Sequence, residues 1–210
     1  MNELQNRLLI EGKVLPVMEE FYTLQGEGFN TGQAAYFLRI GGCDVGCRWC
    51  DVKESWNSND FPPVAVDDVV ERASSYPSKA IVVTGGEPLL YNLEYLCSAL
   101  KAKGMKIFIE TSGSQPLSGA FDWICLSPKR DAPPLSEMLG KASELKVIIH
   151  DETDFSWAEE NAATVSSSCI LYLQPEWSRI DIMIPGIVRY IQDNPKWKVS
   201  LQSHKYMRIP

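Results

Sequence analysis

Short runs of apolar and β-branched residues recur along the chain, each ending in a polar or glycine-bearing turn: Ala34 to Ile40, Ala80 to Thr84, Lys106 to Glu110, Trp123 to Leu126, Leu145 to Ile149, Ile170 to Leu173 and Lys198 to Leu201. Their length and composition predict strands. Between several of them the apolar positions fall at helical spacing: Val66 to Ser75 with Asp67 near its start, Leu93 to Lys103 ended by Gly104, and Ile180 to Asn194 stopped by Pro195. Strand and helix alternate, and several runs are too continuously apolar for half-exposed strands, which predicts a parallel sheet with crossover helices.

Polar clusters follow the strand ends: Cys43, Cys47 and Cys50 after Ile40, Gly85-Gly86-Glu87-Pro88 after Val83, Thr111-Ser112-Gly113 after Ile109, Ser127-Pro128-Lys129 after Leu126, and Gln174-Pro175 after Leu173. In barrels of parallel strands the carboxyl ends carry the active site, so five clusters are expected to converge on one mouth. The longest loop-like stretch, Asp51 to Pro63, follows the cysteines directly and is a candidate cover for that mouth.

Composition narrows the class. The 210 residues, 45% hydrophobic and 22% charged, suit one folded domain spanning 1–210. A formal charge of -7 argues against an extended nucleic-acid footprint and for a small-molecule substrate. The amino end lacks a basic start with a long apolar run, and no apolar stretch approaches the roughly 20 residues of a membrane span, so a cytoplasmic protein with no membrane association is expected. Cys97, Cys125 and Cys169 stand singly in apolar surroundings and read as buried small hydrophobes.

The run from Gly41 to Asp51 differs, with three thiols within eight residues. Zinc sites that only hold structure want four protein ligands. An iron-sulfur cluster held by three thiolates leaves one iron open to bind and activate a small molecule. A redox pair formed by Cys47 and Cys50, or a zinc knuckle completed by Asp51 or a distant histidine, remain alternatives. So does a non-catalytic iron-sulfur or zinc module.

The Cys-x3-Cys-x2-Cys spacing, with Trp49 before the last cysteine, resembles the hallmark of the radical S-adenosylmethionine superfamily. The resemblance implies a [4Fe-4S] cluster on Cys43, Cys47 and Cys50, whose open iron chelates S-adenosylmethionine and starts radical chemistry on it. No side chain is assigned a certain catalytic role, because the radical arises on the cofactor. Gly85, Gly86, Glu87 and Pro88, behind Val82-Val83-Thr84, look like the superfamily's second motif, which binds the cofactor's amino group.

A closer resemblance covers nearly the whole chain: Phe21 to Gly28, the cysteine loop, the Gly-Gly-Glu-Pro turn, Glu110-Thr111-Ser112-Gly113, Ser127-Pro128-Lys129 and the end from Leu201 to Pro210 are similar to the 7-carboxy-7-deazaguanine synthase family. That family converts 6-carboxy-5,6,7,8-tetrahydropterin into 7-carboxy-7-deazaguanine with release of ammonia, a lyase step toward queuosine and related deazapurines. The resemblance implies that Leu24, Gln25, Gly26, Glu27, Arg39, Thr84, His204 and Pro210 meet the pterin. It also implies that Trp49, Gly85, Gly86, Glu87, Ser127, Pro128, Lys129 and Gln174 line the cofactor. An arginine leaving an apolar strand suits a bidentate carboxylate contact, though an ion-paired arginine at a strand end reads as well from the residues alone. A magnesium ion, a flavodoxin or ferredoxin reductant and a homodimer are implied too. Because 210 residues fall short of the about 250 of a full eight-stranded barrel, the expected fold is α/β, a compact incomplete (β/α) barrel of mainly parallel strands with the active site at their C-terminal ends.

One departure stands out: the family reads Cys-Asp-Thr where this chain has Cys50-Asp51-Val52, and valine offers magnesium no oxygen. Asp51 is then the remaining nearby candidate for the ion. A rival reading on the same scaffold is an activating enzyme that installs a glycyl radical on a protein partner; the Thr-Leu-Gln-Gly-Glu-Gly opening and the Ser-His-Lys-Tyr tail favour the pterin reaction.

Overall fold

The computed structural model describes residues 3–210. Nine strands form one sheet: β1 (Val14–Leu24), β2 (Ala34–Ile40), β3 (Pro63–Ala65), β4 (Ala80–Gly85), β5 (Lys106–Thr111), β6 (Trp123–Leu126), β7 (Glu144–Ile149), β8 (Ile170–Pro175) and β9 (Trp197–Val199). Their order is β3-β1-β2-β4-β5-β6-β7-β8-β9. From β2 to β9 every neighbouring pair is parallel, while β1 runs antiparallel to both β2 and β3. The sheet is therefore an open, largely parallel barrel with β3 and β9 at its edges, as the length required.

Parallel neighbours need crossovers, and helices supply most of them. These are α2 (Val66–Ser74), α3 (Glu94–Ala102), α4 (Ser136–Lys141), α5 (Asp154–Ala162) and α6 (Ile180–Asp193), with α1 (Glu3–Ile10) and α7 (Ser203–Met207) at the two ends of the chain. In α2, Val66, Val69, Val70 and Ala73 turn one stripe into the core, each valine contributing about 1.5–3 kcal/mol by its burial. Asp67 and Asp68 in its first turn and Arg72 in its last complement the helix dipole.

The side-chain alternation of the strands divides the molecule into an outside and an inside. Leu38, Ile81, Val83, Ile107, Ile109, Leu145 and Val147 face the helices and form the main core with them. The opposite face carries a small apolar floor of Ala35, Phe37, Ala80 and Val82, and beyond it Arg39, Thr84, Glu110, Lys146 and Gln174. Strand pairing sets Arg39 beside Thr84, and Glu110, Cys125 and Glu144 in one row.

Cys97, Cys125 and Cys169 are buried, as expected. The last strand lies at Trp197–Val199 rather than Lys198 to Leu201, because Trp197 is the residue that fills the core while Leu201 is exposed. The stretch from Asp51 to Pro63 holds two short 3-10 turns, Lys53–Trp56 and Ser58–Asp60, and its last residue already pairs in β3. Among the described residues no helix is long and apolar enough to cross a membrane.

Candidate functional site

A cavity of ≈ 290 Å³ lies where the parallel strands end, and every site residue expected from the sequence lines it except Pro88 and Pro128. Ser127 and Lys129 face the cavity, whereas Pro128 between them is buried away from it, as the two-residue alternation of an extended segment requires. Further residues share the lining, among them Trp56, Glu110, Lys146, Trp177 and Gln202.

The cysteine loop is fixed to its neighbours through its backbone. Gly42 N donates to Ser55 O at 2.6 Å, Cys43 N to Trp56 O at 3.1 Å, and Glu87 N returns a bond to Gly42 O at 2.9 Å. The three thiols are free, half-buried and exposed to the same cavity. Burial pushes the Cys43 and Cys47 thiols up, with the neighbouring thiols adding to it. Among the described residues no three His, Cys, Asp or Glu side chains converge as a single metal ion would need. A structural zinc wants four protein ligands, so three thiols on one cavity fit a cluster with an open iron better than a zinc ion.

A cation faces these thiols. Lys129 Nζ donates to Ser127 O at 2.6 Å and to Ser127 Oγ at 2.7 Å, and lies 5.5 Å from the centre of the Trp49 ring. Burial lowers its pKa, while Cys47 nearby favours its charge. Lys129 in turn eases ionisation of Cys47, the form that binds iron. Across the loop, a Cβ on Gly86 would stand 2.1 Å from Gly42 O and 3.0 Å from Cys43 Cβ, so only a glycine lets the β4 turn approach the first cysteine this closely.

Glu87 is 1% exposed, and its carboxylate accepts from Leu89 N at 3.1 Å, Thr111 Oγ1 at 2.6 Å, Ser112 N at 2.8 Å and Ser112 Oγ at 2.5 Å. Those bonds occupy the acid, which ties the turn after β4 to the turn after β5. The acid that the resemblance assigns to the cofactor thus also holds in place the turn whose backbone lines the cavity.

Deeper in the barrel, Lys146 Nζ lies 2.6 Å from Glu27 Oε2 and 2.8 Å from Glu110 Oε2. Burial opposes the charge of Glu27, but Lys146, Gln202 and Gln174 outweigh it and hold the carboxyl at about 2. The sequence gives Glu110 no role beyond its place in the Glu-Thr-Ser-Gly run and gives Lys146 none, because each lies inside an otherwise apolar strand.

The chain end closes the site. Ser203 N and Oγ both donate to Gly26 O at 2.9 Å, and Gln202 Nε2 donates to Glu27 Oε1 at 2.9 Å. His204 packs so closely that a Cβ on Gly26 would sit 2.2 Å from its Nδ1. Lys205 pairs with Asp51 at 2.9 Å and lies over the Trp177 ring at 4.9 Å. Arg208, left-handed at φ 56°, ends α7, and Pro210 reaches the cavity lining. Arg39 also reaches the cavity, with Nη1 on Glu19 Oε1 at 2.8 Å and the remaining guanidinium donors available.

Comparison with known proteins agrees with this geometry. A profile of the Radical SAM superfamily matches residues 38–125. The chain is 58% identical to a 7-carboxy-7-deazaguanine synthase of Flavobacterium psychrophilum, over 95% of each chain. It is 45% identical to one of Synechocystis, over 92% of this chain and 93% of the relative. The crystal structure of QueE from Escherichia coli superposes with a TM-score of 0.80 at 31% identity, covering 97% of this chain and 100% of the other.

Proposed function

The chain belongs to the 7-carboxy-7-deazaguanine synthase family of the radical S-adenosylmethionine superfamily, and from that premise we infer how its own residues serve the family reaction. The enzyme converts 6-carboxy-5,6,7,8-tetrahydropterin into 7-carboxy-7-deazaguanine in queuosine biosynthesis, releasing ammonia. When bound, the cluster and S-adenosylmethionine supply the radical that starts the reaction.

Cys43, Cys47 and Cys50 hold the cluster, and the observation that carries this assignment is that three free thiols share one cavity with the Gly85-Gly86 turn and the docked chain end. Gly85 and Gly86 present their backbone to S-adenosylmethionine, with Glu87 holding the turn in place. Trp49, Ser127, Lys129 and Gln174 complete that half of the site. Leu24, Gln25, Gly26, Glu27 and Thr84 border the pterin half, where Arg39 offers its free donors to the substrate carboxylate and His204 and Pro210 cover the opening. A flavodoxin or ferredoxin delivers the electron, and two chains pair. Ammonia and carboxy-deazaguanine produced one to one by the anaerobic protein, with S-adenosylmethionine not consumed in proportion, would support the reaction; ammonia without that product would contradict it.

The tail assignment has its own test. His204→Ala removes the side chain that packs on Gly26 in the cavity, so it is expected to raise the KM for the pterin about tenfold, the size of one lost contact of about 1.4 kcal/mol. The affinity for S-adenosylmethionine should stay within about twofold. An unchanged pterin KM in His204→Ala would refute the assignment.

The residues beside Cys50 do not fit a protein-built magnesium site. Asp51 is taken by Lys205, the Val52 side chain has no oxygen, and Val52 O already accepts from Ser55 Oγ at 2.6 Å. Magnesium demands several oxygen donors, which here leaves substrate oxygens and water. Turnover is therefore expected to need more magnesium than in the variant Val52→Thr, whose half-maximal concentration should fall about tenfold. Superimposable magnesium titrations of the two proteins would contradict this.

A further inference from the structure

Glu110 on β5 and Lys146 on β7 project from the inner face of the sheet into the cavity, and neither has a part in the assignments above. The Lys146 ammonium, its side chain 5% exposed, is shared by the carboxylates of Glu27 and Glu110. The second oxygen of Glu27 accepts from Gln202 at 2.9 Å, and that of Glu110 from Gln25 at 3.1 Å. The other ionisable groups facing Glu110 are Glu144 on β7 and the Cys125 thiol on β6, both buried. Two carboxylates around one cation therefore sit in unequal surroundings. Burial raises Glu110, with Glu144 and Glu27 adding to it, whereas Glu27 stays ionised. Carboxyl groups driven apart in this way divide into an acid and a permanent anion.

The family reaction expels a ring nitrogen as ammonia. As that carbon–nitrogen bond breaks, its electron pair goes to nitrogen, and nitrogen leaves readily only if it gains a proton. We propose that Glu110 is the catalytic acid that delivers this proton and that Lys146 is the positioning residue holding it against Glu27, an inference that rests on the substrate reading above. The Glu110 O–H bond breaks as the new N–H bond forms, and the carboxylate left behind faces Lys146. A proton shed by the substrate ring as the product becomes aromatic restores the acid, so the step needs no outside oxidant or reductant.

Glu110→Gln in the reconstituted holoenzyme tests this, because the amide keeps the shape and loses the proton. Its kcat is expected to fall roughly 10²- to 10⁴-fold with a KM change under about threefold. The decline of kcat at alkaline pH, where the wild-type carboxyl loses its proton, should vanish. Glu110→Asp should restore part of kcat together with that decline. Lys146→Met should move the decline to higher pH by about one unit or more, because the lost cation no longer favours the carboxylate. Iron content and thermal melting of each variant show whether a loss is one of folding. An alkaline decline unchanged in Glu110→Gln, or a kcat loss in both Glu110 variants that only tracks melting and iron, would overturn the inference. Wild-type enzyme that cleaves S-adenosylmethionine yet forms no deazaguanine would overturn the substrate reading, and this inference with it.

Discussion

Replacing Cys43 by alanine is expected to abolish turnover, by at least about 10³-fold, the scale of loss when one member of a group that acts as a unit is removed. Bound iron should fall with it. Stability should barely change, because Cys43 is a half-buried loop residue facing the cavity rather than the core. About 1 kcal/mol, roughly 2–4 °C in Tm, is the expected ceiling. Cys97→Ala offers the contrast. Cys97 is 2% exposed and packs in the main core on α3, so its loss should cost stability of about 1 kcal/mol and leave iron and turnover intact. Iron content and anaerobic turnover of the two variants, with melting curves, check both halves; a Cys43→Ala protein with full iron would remove the cysteine loop from the account.

Gly85→Ala is expected to have the largest effect on the fold. Gly85 stands at φ +131°, and a Cβ there would lie 2.1 Å from Ile40 O and 2.4 Å from Ile40 N, both backbone atoms of the paired strand. No side chain can rotate to relieve that contact. The ends of β2 and β4 have to separate just where the cysteine loop begins, at a cost on the order of 3 kcal/mol. In a chain of this size that is a Tm lower by roughly 6–12 °C. Gly104→Ala, also left-handed at φ +71° but with nothing within 4 Å of the added carbon, should cost only about 1 kcal/mol. Equal melting of the two variants would show that crowding at Gly85 matters less than its backbone angle.

Apart from β9, whose bounds differ from the expected ones, the strands that sequence alone made visible are the ones buried on both faces. β2, β4, β5, β6, β7 and β8 read as continuous apolar runs because helices cover one side and the barrel interior the other. β1 stayed hidden because Pro16 and the Glu19-Glu20 pair interrupt its pattern; the structure accommodates them with a bulge between Val17 and Glu19 and pairs Pro16 with edge strand β3. β3 has three residues and α7 five, too few for either period to register. Helix α1 buries no side chain, and α5 buries only Ala158 and Asn161, so neither has an apolar stripe to read.

In the site, the turn residues were legible because glycines and cysteines are unusual there. The interior ions were not, since Glu110 and Lys146 lie within strands whose pattern was read for burial, and their meaning depends on Glu27, 83 and 119 positions away. Pro128, which the resemblance groups with Ser127 and Lys129, lies buried outside the cavity lining.

The most direct test of the account is mass-spectrometric analysis of product after anaerobic incubation of the reconstituted protein with 6-carboxy-5,6,7,8-tetrahydropterin, reductant, magnesium and S-adenosylmethionine. Formation of 7-carboxy-7-deazaguanine over many turnovers is the result expected. A protein loaded with its cluster that cleaves S-adenosylmethionine and leaves the pterin unchanged would contradict it.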